Sequence, residues 1–238
     1  MLLFKNKSLY NIFYKMRKDN RFQVIYKKLL ALHGPQGWWP IRATYHPKNY
    51  AFPQTPEELF EICVGAILTQ NTNFKSVEIA LNNLRTKELL DPKKLLTTSD
   101  DLIKTCIKPS GYFNQKTKKL FIFTDFFLKL KNRCPLRHEL LSLWGIGPET
   151  ADSMLLYGWH QPIFVVDAYT RRIFLHLKLI DASFKYEDIR EMFEQNLPPD
   201  YILFNEYHAL IVEHAKRFYA KKPYGFDCPI GNYLSKRS

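Results

Sequence analysis

Apolar residues recur at spacings of three and four along most of this chain, the repeat expected of one face of an α-helix. The clearest stripe is Leu59, Phe60, Cys63, Val64, Ile67 and Leu68. It follows Thr55-Pro56-Glu57-Glu58, which reads as a capping box with proline at the first helical position. Similar stripes occupy residues 19–33, 73–85, 112–131, 148–159, 168–178, 186–196 and 200–220. The one β-like run, Ile163 to Val166, is too short and solitary to build a sheet. With 9 Gly and 14 Pro in 238 residues, the pattern predicts long helices with short joints, and the fold class is all-α.

Composition adds that this is a folded chain with an unusual charge. Hydrophobic residues make up 46% and aromatics 15%, enough for a real core and too much for disorder. Basic residues outnumber acidic ones by 35 to 23, a net charge of +12 at pH 7 that favours a polyanionic partner or an acidic membrane surface. The charge is also uneven. Residues 1–30 carry eight basic side chains against Asp19, and residues 104–137 carry nine against Asp125. Residues 181–206 hold seven acidic side chains and only Lys185 and Arg190. A basic face of this kind suits a phosphate backbone, where lysines supply affinity and little sequence choice.

The cysteines, at 63, 106, 134 and 228, contain no C-x-x-C pair and give no support for a zinc site or a disulfide framework. No stretch reaches the ~18 apolar residues of a membrane span, and lysines interrupt the N-terminal apolar run before it could form a signal-peptide core. The chain is therefore expected to be soluble, cytoplasmic and free of metal.

The chemistry concentrates in Leu140-Leu141-Ser142-Leu143-Trp144-Gly145-Ile146-Gly147-Pro148-Glu149-Thr150-Ala151. An apolar helix runs into Gly-Ile-Gly, and Pro148 opens a second helix. This is a helix, hairpin and helix, over about residues 135–159. Gly145 and Gly147 let the chain turn tightly with its amides outward, and the following helix N-terminus adds partial positive charge. Such a hairpin is a cradle for a backbone phosphate. Asp167 follows in Val165-Val166-Asp167-Ala168-Tyr169-Thr170, where an acid would also serve as an ordinary helix N-cap.

The hairpin with an Asp at this distance resembles the endonuclease III-like superfamily of helix-hairpin-helix DNA glycosylases over roughly residues 50–230. The resemblance implies two helical lobes around an active-site cleft, with the N-terminal and C-terminal segments together forming one lobe. It makes Asp167 the catalytic carboxylate. Cleaving an N-glycosidic bond passes through an oxocarbenium-like sugar, which a fixed anion stabilises while it orients or deprotonates water. Relatives that also cut the strand carry a Schiff-base lysine where this chain has Glu149, so the resemblance implies a monofunctional enzyme. Many relatives hold an iron-sulfur cluster with four cysteines after the last helix. Only Cys228 stands in that region here, and no cluster or other cofactor is expected.

Gly37-Trp38-Trp39-Pro40, together with Glu149 and the missing cluster, resembles the bacterial 3-methyladenine DNA glycosylases of the same superfamily. There the Trp-Trp-Pro loop walls the base pocket. Indole faces attract a positively charged alkylated purine as well as stacking on it. Trp38, Trp39, Pro40, Glu149 and, as an opposite wall, Phe60 are thus expected to bind substrate, and Lys216 joins them if it turns inward from the edge of the last helix. The resemblance assigns DNA contacts to Leu143, Gly145, Ile146, Gly147 and Thr150. It also assigns Gln70, within Leu68-Thr69-Gln70-Asn71-Thr72, to filling the gap left by a flipped nucleotide. The expected partner is duplex DNA with alkylated bases, bound by a monomer. Two alternatives stay open: a mismatch or uracil/thymine glycosylase of the same fold, and a non-catalytic hairpin scaffold that only binds DNA.

Overall fold

A computed structural model of the chain describes residues 19–231, and the basic stretch before Asp19 lies outside it. The protein is all-α, as the periodicity predicts. Ile163 to Val166 is extended, with no strand among the described residues. The described residues form two compact units, one of residues 36–161 and one combining residues 19–35 with 162–231.

In the first unit, α2 (Pro56–Leu68) is central, and every residue from Phe60 to Leu68 is buried. Thr55 caps it by accepting from the Glu58 amide at 3.2 Å, while the Glu58 carboxylate accepts from the Gln54 amide at 2.7 Å. The capping signature is therefore real, shifted by one residue in its reciprocal bond. Around α2 stand α3 (Phe74–Thr86), α4 (Pro92–Thr97), α5 (Asp100–Ile107) and α6 (Phe113–Lys129). The periodicity misses α4 and α5, which are too short to show an apolar stripe. Local chemistry defines α4, since Asp91 accepts from the amides of Lys93 and Lys94 at 2.7 and 3.0 Å. Two short helices follow, α7 (Arg137–Leu141) and α8 (Pro148–Ser153), the latter passing into a π-helical turn over Met154–Gly158. A Cβ on Gly158 would stand 2.7 Å from Leu59 Cδ1, so the glycine lets this turn close on α2.

The second unit packs α1 (Asn20–His33) along α11 (Tyr201–Phe218), with α9 (Ala168–His176) and α10 (Tyr186–Asn196) beside them. Its core is aromatic. Phe164 stacks on Phe193 with centroids 3.8 Å apart, Phe22 meets Phe193 edge-on at 4.9 Å, and the Tyr207 hydroxyl donates to the Phe22 carbonyl at 2.9 Å. Phe164, Val165 and Val166 are all buried, which fixes the extended segment leading to Asp167.

A polar chain is buried in the same unit. His33 Nε2 lies 3.0 Å from His214 Nδ1, His214 Nε2 lies 3.2 Å from Cys228 Sγ, and the Tyr219 hydroxyl donates to that sulfur at 3.3 Å. Burial, aided by His33 and Arg217, lowers His214 to about 4. Unfolding restores an ordinary imidazole, so between its ordinary value and about pH 4 the unfolded chain binds the extra proton. The stability contributed by neutral His214 is present above about pH 6.5 and is lost as pH falls toward 4. Urea unfolding at stepped pH should show this decline, and His214→Phe should flatten it. A decline of equal slope in the variant would remove His214 as its cause.

Candidate active site

Asp167 is the N-cap of α9, and its two carboxylate oxygens are used differently. Oδ1 accepts from the Thr170 amide at 2.7 Å and from the Thr170 hydroxyl at 2.8 Å. Oδ2 lies 3.8 Å from His208 Nε2 on α11. The cap pins the side chain and leaves the second oxygen as the one able to face a reactant. Burial pulls His208 below the ordinary imidazole range, opposed by the Asp167 charge. A neutral imidazole leaves the negative charge on Asp167 uncancelled. The sequence contains no spacing signal that pairs His208 with Asp167; their approach comes from packing of α9 against α11.

The hairpin joins α7 to α8 within the first unit. Gly145 has φ +83°, a backbone conformation that favours glycine, and a Cβ there would push against the Lys119 side chain, 2.5 Å from its Cε. Gly147 is different: it caps α8 in extended backbone with open space around it. Among the described residues neither glycine's amide donates to a protein group. Both are available to a phosphate, at the start of α8 where further amides are unspent. Arg137 and Asp152 clamp the two helices together through bonds of 2.6 and 3.0 Å to a carboxylate whose side chain is wholly buried.

Several expected DNA contacts prove to be internal supports. Ile146 is 5% exposed, its side chain plugging the core, and its amide donates to Leu143 O at 3.1 Å. Thr150 is buried, and Gln70 Nε2 donates to its hydroxyl at 2.9 Å and to Gly145 O at 3.0 Å. Lys119 Nζ donates to Gln70 Oε1 at 2.5 Å. Gln70, the residue expected to fill the gap, here braces the hairpin with both ends of its amide. Leu143 is half-buried.

The basic run at residues 104–137 shrinks in the same way. Lys116 is 1% exposed and donates to Leu68 O and Ser110 O at 2.7 Å each; burial, with Lys119 nearby, lowers it to about 8. Arg133, Lys104 and Lys129 pair with Glu139, Asp100 and Asp101, and Asp125. Lys116 also ties the end of α2 to the turn before α6, which displays Tyr112 at φ +46° and 65% exposed. Sequence reasoning missed this tyrosine, because an apolar stripe absorbs an aromatic without showing whether it faces inward.

The tryptophan loop closes on itself, with the His46 amide donating to Gly37 O at 3.1 Å. Trp39 is 7% exposed and sits on α2 at Gly65, where a Cβ would stand 2.9 Å from its ring. Pro40 is buried too. Phe60 is fully buried, its ring 5.1 Å from Phe127 and 6.3 Å from Phe123. Trp39 and Phe60, the expected walls of the base pocket, are thus buried in the core of this unit. Trp38 alone of the three is half-buried, 4.4 Å from Phe74 and 5.9 Å from Tyr45.

Glu149 stands exposed in the first turn of α8, where a carboxylate complements the helix N-terminus. Lys216 is exposed on α11 and does not turn inward. The residues after α11 do not fit an iron-sulfur cluster. Cys228 is bonded to His214 and Tyr219, the other cysteines belong to the first unit, and no group of three or more His, Cys, Asp or Glu among the described residues is placed to hold a metal ion. No described helix is long and apolar enough to cross a membrane.

The chain thus carries a glycine hairpin with unspent amides and, further on, an acid capping a helix, the pattern that resembles the helix-hairpin-helix DNA glycosylases. Residues 64–199 match the family described as HhH-GPD superfamily base excision DNA repair protein, and the chain belongs to that DNA glycosylase family. It is 44% identical over 234 residues to the "Putative DNA repair glycosylase MJ1434" of Methanocaldococcus jannaschii, covering 92% of this chain and 100% of that protein. It is 30% identical to the endonuclease III of Sulfolobus acidocaldarius, over 74% of this chain and 81% of that one. Among solved structures, the H. pylori 3-methyladenine DNA glycosylase MagIII bound to 1,N6-ethenoadenine matches with a TM-score of 0.67 and 28% identity, over 83% and 97% of the two chains. A trapped endonuclease III–DNA covalent intermediate shares the fold, with a TM-score of 0.71 and 14% identity over 92% and 100%.

Proposed function

We propose that this protein is a monofunctional glycosylase that hydrolyses the N-glycosidic bond of alkylated purines such as 3-methyladenine in duplex DNA, with Asp167 as the catalytic carboxylate. The observation that carries the reading is the division of labour on Asp167: one oxygen held by Thr170, the other 3.8 Å from a buried histidine. An acid fixed in this way stabilises the positive charge that develops on the sugar as the bond to the base breaks, and orients the water that attacks. The hairpin amides of Gly145 and Gly147 take a phosphate, which fixes the register of the strand. Tyr112, exposed at the turn before α6, fills the stack when the target nucleotide leaves it, the role the sequence resemblance gives to Gln70. Glu149, standing where lyases carry their amine, offers no nucleophile for a Schiff base, so the product is an intact strand with an abasic site.

Trp38 supplies the aromatic surface for the base, and a cationic purine suits an indole face. The likeness to the H. pylori 3-methyladenine enzyme supports this substrate class. With Trp39 and Phe60 buried, a second reading has a neutral base, a uracil or mismatched thymine, as substrate. A panel of lesion-bearing duplexes separates the two. Release of 3-methyladenine, reduced about tenfold or more by Trp38→Ala, with no strand cleavage before alkali, is the expected result. Release of uracil or thymine alone would select the second reading, and cleavage without alkali would overturn the monofunctional assignment.

A further inference from the structure

We propose that Trp144 and Lys118 form a second DNA-backbone contact beside the hairpin, one that grips a sugar and its phosphate through a side-chain pair rather than through amides. The inference rests on the reading of the hairpin as a phosphate cradle and extends it. Trp144 is the residue immediately before Gly145, yet it is 49% exposed, whereas Ile146 two positions on is buried. The exposed part of the indole offers an amphipathic surface to a partner. Lys118, on α6, holds its Nζ 4.4 Å from the centre of the Trp144 ring.

The surrounding charges make this pair distinctive. Lys119 is spent on Gln70, Lys116 on two carbonyls, and Arg137 on Asp152. Lys118 makes no ion pair among the described residues, and the aromatic ring orients its ammonium without neutralising it. The result is one oriented positive charge and one apolar plate, adjacent to a glycine whose amide is unspent. A deoxyribose has an apolar face that packs on an indole, and its phosphate needs a cation within reach. A nucleic acid backbone supplies both at fixed spacing, and charge complementarity selects it over an apolar protein partner.

The test is titration of a fluorescently labelled, undamaged duplex by anisotropy, from about 50 to about 200 mM salt. Lys118→Ala should lower the magnitude of the log Kd against log salt slope by about 0.9, the loss of one phosphate contact. Trp144→Ala should weaken binding about five- to tenfold with the slope nearly unchanged, and Trp144→Phe should recover most of that loss. Both side chains are exposed, so thermal unfolding should match the wild type and confirm that the variants fold. An unchanged slope in Lys118→Ala, or unchanged affinity in Trp144→Ala, overturns the proposal while wild-type binding stands. Absence of salt-dependent binding by the wild type would instead overturn the hairpin reading beneath it.

Discussion

Asp167→Asn should fold, bind duplex DNA as the wild type does, and lose base release by about a thousandfold or more. The substitution is informative because Asp167 has two jobs that asparagine separates. Its Oδ1 accepts from the amide and hydroxyl of Thr170 at 2.7 and 2.8 Å, and an asparagine carbonyl reproduces both bonds. Asn and Asp cap helices about equally well, so α9 keeps its N-terminus. What disappears is the negative charge on the second oxygen, which the proposed mechanism needs at the developing sugar cation. Single-turnover release of base from a lesion duplex measures the loss, and anisotropy with the same duplex measures retained binding. Release within a few-fold of wild type would remove Asp167 from the chemistry and leave it a helix cap. Asp167→Ala is a poorer probe, because it also costs about 1 kcal/mol of capping.

Arg137→Met should destabilise the first unit by about 3–5 kcal/mol, read by urea or thermal unfolding. The Asp152 side chain has 0% exposure and receives two bonds from the guanidinium, whose own side chain is 24% exposed. Arg137 lies on α7 and Asp152 on α8, so the pair spans the hairpin from behind. Removing the arginine strips a buried carboxylate of its bidentate partner, which costs more than the pair itself contributes. Replacing both residues with apolar ones of similar volume should therefore recover much of the loss. If Arg137→Met unfolds at the wild-type midpoint, the clamp does not hold the hairpin together. The single variant should also weaken DNA binding, because Gly145 and Gly147 sit between the clamped helices.

Much of this was legible in the linear sequence wherever the cause was local. The periodicity of α2, the cap at Thr55, the hairpin turn at Gly145 and the cap position of Asp167 all arise from interactions within a few residues, and spacing reports them. Charge was less legible. The nine basic residues of 104–137 read as one phosphate-facing surface, yet Lys116, Lys119, Arg133 and Arg137 are tied to groups that arrive from other elements, and Lys104 and Lys129 to carboxylates of their own helices. Aromatics failed for the matching reason: Phe60 on the stripe of α2 and Trp39 in the loop packed on that helix are buried, whereas Trp144 and Tyr112 face water.

The sequence by itself determined the all-α class, the hairpin, and the acid that follows it, because helix periodicity, glycine conformations and N-caps are short-range physics. Tertiary structure alone decided that Gln70 braces the hairpin, that His208 stands 3.8 Å from Asp167, and which lysines keep their charge for a partner. Those outcomes depend on which side chains distant in sequence meet when helices pack, and on how much water the packing removes.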